Sequence, residues 1–311
     1  MPEAGKTLLE ELTACVPGLI HWYPGHMAKA QKELQKKISQ VDIVLEIVDA
    51  RVPYNGRHLD LEKLAGRKDR VLVLTKADLA EAEAGEAWRQ YYLRTGRQAF
   101  LVDAVSGTGI GRLGRYLRRP GLPARILVVG MPNTGKSTLI NRLTGQRRAR
   151  TGAAPGITRG LQWLQAERLN ALLYDTPGVL QPKFLDVLQG LKLVWVGSIG
   201  PNAYDPAAAG MALAWYLKHT KPELLSARYG GAALAEGDTP AGLLTAIGRR
   251  RGFLAAGGQI DLELTGTAIL KDFRRGSLGR VTLDNLAELQ PQLQAEEAGE
   301  KRDNGEGAGR L

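Results

Sequence analysis

Apolar residues gather into five short runs in the first part of the chain: VDIVLEIVDA at 41–50, RVLVLTKAD at 70–78, QAFLVDA at 98–104, ARILVVGM at 124–131 and ALLYDT at 171–176. Val, Ile and Leu follow one another there with little polar alternation, as in strands covered on both faces. Helical or glycine-rich stretches separate the runs. The expected core is therefore a mainly parallel sheet, with ligands at the carboxyl ends of its strands. After about residue 182 the pattern changes. Ala/Leu-rich segments such as PAAAGMALAWYLKHT and TPAGLLTAIGRRR alternate with glycine turns and predict helices. Leu262, Ile269 and Phe273 are spaced to share one helix face, with Lys271 and Arg274 opposite. From Pro291 onward large apolar residues almost vanish, so the end of the chain is expected to be a disordered acidic tail. The predicted organisation is an N-terminal extension (1–20), an α/β domain (21–182), a smaller all-helical domain (183–288) and the tail (289–311).

Composition narrows the class. A chain of 311 residues accommodates two domains with sizeable cores. With 44% hydrophobic and 24% charged residues, and no apolar run approaching the ~20 residues of a spanning helix, no membrane partner is expected. The start MPEAGKTLLEEL is acidic where a secretory signal is basic, which predicts a cytoplasmic protein. A single cysteine, Cys15, forms no internal bridge, and the four histidines show no zinc spacing. The net charge of +10 favours a polyanionic partner, because Lys and Arg release counterions condensed on phosphates.

The strongest chemical signal is GMPNTGKS at 130–137, a GxxxxGK[ST] match that closes the run ARILVV and opens the helical pattern TLINRLTG. Such a loop turns backbone N–H groups inward around phosphates, while the new helix aims its positive end at them. Asn133, Thr134, Gly135, Lys136, Ser137 and Thr138 are the expected nucleotide contacts. Lys136 neutralises the β and γ oxygens and Ser137 ligates Mg²⁺. Downstream, Thr158 in PGITRG fits a mobile Mg²⁺ ligand sensitive to γ-phosphate. Asp175 in DTPG fits a water-mediated Mg²⁺ ligand, and Gly178 an amide facing the γ-phosphate.

Guanine presents N1–H and N2–H₂ donors that one carboxylate accepts as a pair. Asp78, in the Thr75-Lys76-Ala77-Asp78 stretch, is the candidate reader, and Asp103-Ala104 is placed to give the Ala104 amide to the guanine carbonyl. Each stretch taken alone also reads as a solvated turn. Both precede the phosphate loop, the reverse of the ordinary order. Such a permutation preserves a site when the old termini lie close together.

HWYPGHMAKA (21–30), the IVDARVP run (47–53), GMPNTGKSTLINRL, PGITRG, DTPG and IGRRRGFLAAGGQIDLELT (247–265) together resemble the circularly permuted GTPases, most closely the ribosome biogenesis GTPase A family, over most of the chain. The resemblance implies a P-loop GTPase domain with permuted motif order that binds GTP and GDP and hydrolyses GTP. It also implies a role in assembly of the large ribosomal subunit, with the C-terminal domain on ribosomal RNA. It further implies that His26 orients the attacking water, since Val179 stands where many GTPases carry Gln. Asn133 matches a position that helps hold K⁺ beside the phosphates. Two positions depart from the family pattern: Thr75 replaces the usual Asn of the base-reading motif, which predicts weaker nucleotide affinity, and Asp103 stands where Ser is commoner.

Between Ile247 and Arg280 the chain carries Arg249, Arg250, Arg251, Lys271, Arg274, Arg275 and Arg280 against Asp261, Glu263 and Asp272. This cluster suits phosphate contacts to RNA recognised by shape, the alternative being a solvated helix face. Two competing functions are a P-loop nucleotide or small-molecule kinase, against which DTPG and PGIT speak, and a non-catalytic RNA-binding scaffold stabilised by GTP.

Overall fold

The computed structural model of the chain describes residues 7–16, 35–58, 61–66, 68–145, 163–176 and 186–295. Six strands form one sheet: β1 (Ile43–Asp49), β2 (Asp69–Thr75), β3 (Gln98–Val102), β4 (Ala124–Gly130), β5 (Trp163–Ala166) and β6 (Ala171–Asp175). The spatial order is β3-β2-β1-β4-β6-β5, and every pairing is parallel except β5 with β6. Register sets the functional edge. Asp49 lies opposite Thr75, Thr75 opposite Val102, Ile47 opposite Gly130 and Val128 opposite Asp175. The carboxyl ends of five strands therefore share one rim, and the direction of chain progression reverses between β1 and β4.

Both faces of the sheet are covered, as its unbroken apolar runs require. Ile43, Leu45 and Ile47 pack with Leu113 and Leu117 of α4 (Ile110–Leu117) and with Leu139, Ile140 and Leu143 of α5 (Lys136–Thr144). On the opposite face Val44 meets Leu61 and Ala65 of α2 (Leu61–Ala65), and Val48 meets Trp88 and Tyr92 of α3 (Ala82–Arg94). β5 is a short antiparallel edge that the sequence pattern did not predict, because WLQA has neither a long apolar run nor clear alternation.

The helical part contains α6 (Val187–Val196), α7 (Pro206–Thr220), α8 (Pro222–Tyr229), α9 (Gly231–Glu236), α10 (Pro240–Arg251) and α11 (Leu262–Arg274). α7 and α11 cross with their backbones touching: a Cβ on Gly266 would lie 2.2 Å from the Pro206 carbonyl oxygen, and one on Gly210 would lie 2.3 Å from the Gly266 Cα. Asp261 caps α11, its Oδ1 accepting the Leu264 N–H at 2.8 Å. Thr265, Gly266, Ile269 and Phe273 form the buried face. Leu262, expected on that face, is 42% exposed because it stands at the first helical position, before the helix enters the core.

Three segments join the parts more closely than the sequence division suggested. In the N-terminal extension, α1 (Leu8–Cys15) buries Leu12 and Cys15 in the same core as α6, α7 and α10, and Glu11 accepts the Trp215 indole N–H at 2.8 Å. After α11 the chain returns to the sheet domain, where the Val281 N–H bonds the Leu79 carbonyl at 3.0 Å and the Leu283 N–H bonds the Arg51 carbonyl at 2.7 Å. A final helix, α12 (286–295), runs into the segment expected to be disordered. Leu286, Leu289 and Leu293 recur at helical spacing and pack beside Trp88 and Tyr92, and fully burying one such Leu is worth about 1.5–3 kcal/mol against the ordering entropy. Among the described residues no helix is long and apolar enough to cross a membrane.

Candidate nucleotide site

β4 ends against β1 so closely that a Cβ on Gly130 would lie 2.3 Å from the Ile47 carbonyl oxygen. Asn133 (φ 58°) and Gly135 (φ 92°) then adopt left-handed backbone, which curls the loop into a nest of N–H groups ahead of α5. Lys136, first in that helix, folds back across its own loop, donating to the carbonyls of Gly130 (2.9 Å) and Met131 (2.6 Å). Burial pushes its ammonium pKa down to about 8, Asp175 partly offsets this, and Lys76 adds repulsion. Ser137 and Thr138 occupy the first turn of α5 beside it.

Asp175 ends β6 in line with this loop. Its Oδ1 is buried and has no hydrogen-bond partner among the described residues. Burial raises its pKa, with Lys136 acting in the opposite sense. The Thr176 hydroxyl donates to the Val128 carbonyl at 2.8 Å, fixing the strand end against β4. An unpartnered carboxylate oxygen and a nearby Ser hydroxyl are the hard oxygen donors that suit Mg²⁺, so the residues present fit that ion.

The loops after β2 and β3 meet on the same rim, where the Ala77 N–H donates to the Val102 carbonyl at 3.3 Å. Asp78 is exposed at the loop. Thr75, expected among the nucleotide contacts, is buried, and its hydroxyl lies 2.5 Å from the Thr134 carbonyl and 3.0 Å from that of Val48. It therefore staples the strand end to the phosphate loop. Lys76, with φ 53°, reaches back to Asp49 at 2.8 Å.

Asp103 organises its own turn, with Oδ1 accepting the N–H groups of Val105 (2.8 Å) and Ser106 (3.2 Å). Burial raises its pKa, but these bonds win and leave it lowered. Ala104 is buried, and its carbonyl accepts Arg142 Nε at 2.8 Å; the same guanidinium also bonds the Val105 carbonyl. Arg142, on α5, thus clamps the loop after β3 to the helix that follows the loop at 130–137. Sequence reading passed over it because NRL inside a helix looks like a solvated position.

Asn133, read as a K⁺ ligand, uses its side-chain nitrogen to bond the Gly197 carbonyl at 2.7 Å. Gly197 caps α6 in left-handed conformation. The phosphate loop thereby touches the helical domain, and Met131 is buried in that domain's core. His26, Thr158 and Gly178, with Val179, lie outside the described residues.

Of the predicted RNA-facing cations, Arg249, Arg250, Arg251, Lys271, Arg275 and Arg280 are exposed. Arg274 is turned inward instead, donating to the carbonyls of Val194 (2.7 Å) and Trp195 (3.1 Å) and to the Tyr204 hydroxyl (2.8 Å). The last carbonyls of α6 need donors, and the fork of a guanidinium supplies several at once. Asp272, counted against the basic cluster, is paired with Arg228 at 2.8 Å.

A GxxxxGKS loop that closes β4, with the loops after the earlier strands β2 and β3 on the same rim, defines a circularly permuted P-loop GTPase. Residues 125–195 match the family model described as "50S ribosome-binding GTPase". The chain is 37% identical over 288 residues to the Ribosome biogenesis GTPase A of Bacillus licheniformis, covering 87% of this chain and all of that protein. It is 35% identical over 242 residues to mouse Mitochondrial ribosome-associated GTPase 1, covering 70% and 73% of the two chains. The crystal structure of GNP-bound YlqF from T. maritima superposes with a TM-score of 0.62 at 26% identity, over 83% of this chain and 98% of that one. The chain belongs to the ribosome biogenesis GTPase A family. It is a GTPase of ribosome biogenesis, and its family implies a divalent metal at the nucleotide.

Proposed function

We propose that this GTPase acts in the cytoplasm as an assembly factor of the large ribosomal subunit, gripping ribosomal RNA in its GTP state and leaving after hydrolysis. The observation that carries the proposal is the bond from Asn133 to the Gly197 carbonyl, which joins the phosphate loop to a domain that exposes Arg249, Arg250, Arg251, Lys271, Arg275 and Arg280. Exposed cations suit an RNA backbone, and the family description over 125–195 names ribosome binding.

In this reading Lys136 exchanges its loop carbonyls for the β and γ phosphates, and Asp78 accepts the N1–H and N2–H₂ of guanine while the Ala104 amide meets the guanine carbonyl. Ser137 and Thr158 would hold Mg²⁺ directly and Asp175 through water, and the ion would neutralise charge on the phosphates. Gly178 gives its amide to the γ-phosphate. His26 orients the attacking water in the role Val179 cannot fill. Asn133 would help hold K⁺, which would supply a second positive charge that favours the transition state.

The test is co-sedimentation with purified large ribosomal subunits, in a non-hydrolysable GTP analogue and in GDP, at several salt concentrations. Retention is expected with the analogue, weaker with GDP and falling steeply with salt. Equal retention in both nucleotides, or equal binding to small subunits, would overturn the proposal.

A further inference from the structure

Behind the base-reading loop lies a charge cluster to which the nucleotide chemistry gives no role. Asp49 and Arg51 are each only 1% exposed. Arg51 grips Asp49 through two bonds, Nε to Oδ1 at 2.9 Å and Nη2 to Oδ2 at 2.8 Å. Lys76 reaches the same Oδ2 at 2.8 Å, so one buried carboxylate holds two cations. Burial alone would protonate Asp49, but Arg51 and Lys76 hold its pKa far below the usual carboxylate range.

Arg51 also faces the other way. Its Nη1 donates to the Phe273 carbonyl at 3.1 Å, and its guanidinium lies 4.9 Å from the centre of the Phe273 ring. Phe273 stands in the last turn of α11, next to Arg274 and Arg275. The strand of chain that follows this turn wraps the base-reading loop from outside. The Thr282 N–H donates to Glu81 Oε2 at 3.0 Å, the Glu81 N–H returns to the Thr282 hydroxyl at 3.2 Å, and Lys221 pairs with Glu81 at 2.7 Å. A Cβ on Gly276 would lie 2.7 Å from Leu79. Base loop and basic helix end are thus joined by a buried ionic path inside and a hydrogen-bonded strap outside.

The geometry points to Asp49 and Arg51 as positioning residues that fix Lys76 in the base-reading loop and pass its displacement by bound guanine nucleotide to the Phe273–Arg275 turn of α11. Lys76 is the movable end, being 27% exposed while its partner is buried. A nucleotide that draws its ammonium away leaves Asp49 to Arg51 alone. The guanidinium then settles differently against Asp49, and because Nε and Nη2 at the carboxylate and Nη1 at the Phe273 carbonyl belong to one rigid plane, a shift at one end moves the other. Linkage makes the effect reciprocal: whatever anion engages Arg275 changes guanine-nucleotide affinity by the same factor. The inference rests on Thr75–Asp78 being the base-reading loop.

The experiment is hydrogen–deuterium exchange of the full chain with and without GDP, each variant held at saturation according to its own titration. In the unaltered protein GDP is expected to change uptake in the 271–277 segment. In Lys76→Met, which alters a partly exposed side chain, and in Arg51→Lys, which keeps a charge on Asp49 but cannot span to Phe273, that change is expected to fall at least about twofold. Uptake in α7 should be the same in all three proteins, which separates the relay from a general loosening. No GDP effect in the unaltered protein, or the full effect in Lys76→Met, would overturn the inference. Asp78→Asn separates it from the base assignment: unchanged GDP binding there sinks the assignment itself, whereas lost GDP binding there with a full response in Lys76→Met sinks the relay alone.

Discussion

The side-chain nitrogen of Asn133, inside the phosphate loop, bonds the carbonyl oxygen of Gly197, the left-handed cap of α6, at 2.7 Å. Four residues before the loop's Ser137, this side chain ties the loop to the helical domain. Asn133 itself has φ 58°, a conformation that Asn tolerates and other non-glycine residues adopt at a cost of about 1–2 kcal/mol. Two substitutions separate the side chain from the backbone conformation. Asn133→Gly removes the bond without strain and Asn133→Ala removes it with strain. Both should lose any K⁺ stimulation of GTP hydrolysis, and the Ala form should be less stable than the Gly form by about 1–2 kcal/mol in a urea titration. Stimulation that survives in Asn133→Gly contradicts the K⁺ role.

The depressed pKa of Lys136, about 8, predicts a pH dependence of nucleotide binding. Phosphates favour the ammonium form, so the bound state has the higher pKa. Below pH 8 the lysine is charged in both states and affinity is flat. Above it the free protein must take up a proton to bind, and the Kd for GDP should rise by up to about tenfold per pH unit. Calorimetry at pH 7 and pH 9 in two buffers of different ionisation enthalpy measures this, with net proton uptake expected only at the higher pH. No uptake at pH 9 contradicts the account.

Asp284 and Lys192 form a buried pair at 2.9 Å, and Asp284 also accepts the N–H groups of Tyr54 (2.9 Å) and Asn55 (2.8 Å). Removing one partner leaves a charge without compensation. Asp284→Ala should cost about 3–5 kcal/mol in denaturant unfolding, and adding Lys192→Met should recover part of it. Strictly additive losses in the double mutant would show that the pair is not coupled.

Arg274 and Arg275 are neighbours that face opposite ways. Arg274 supports the end of α6 from inside, whereas Arg275 is exposed. Arg274→Ala is expected to lower stability by about 1–3 kcal/mol through the carbonyls it leaves bare. Arg275→Ala should leave stability within about 0.5 kcal/mol and reduce the salt slope of RNA binding by about 1. Thermal unfolding and filter binding at graded salt distinguish the two.

Much of the sheet was legible because buried parallel strands advertise themselves as continuous Val/Ile/Leu runs, and the phosphate loop because its chemistry is local in sequence. β5 was not, since four mixed residues at a sheet edge carry no periodic signal. The tail reading failed at 289–295 because the stripe that orders α12 begins at Leu286, upstream of the polar composition that suggested disorder. Thr75 was legible as a departure from the family motif, but its bond to Thr134 depends on how β2 and β4 are placed. Arg51 was invisible as a connector for a similar reason: its partner Phe273 lies 222 residues away, and no spacing rule reaches that far.

The central claim is that this family member is a GTP-driven switch on the large ribosomal subunit. The measurement that tests it most directly is GTP hydrolysis by the full chain in K⁺ and in Na⁺, with ATP as control, with and without purified large subunits. The account predicts slow turnover alone, GTP over ATP, and strong stimulation by the subunit that is greater in K⁺. Full turnover without the subunit, or equal use of ATP, would contradict it.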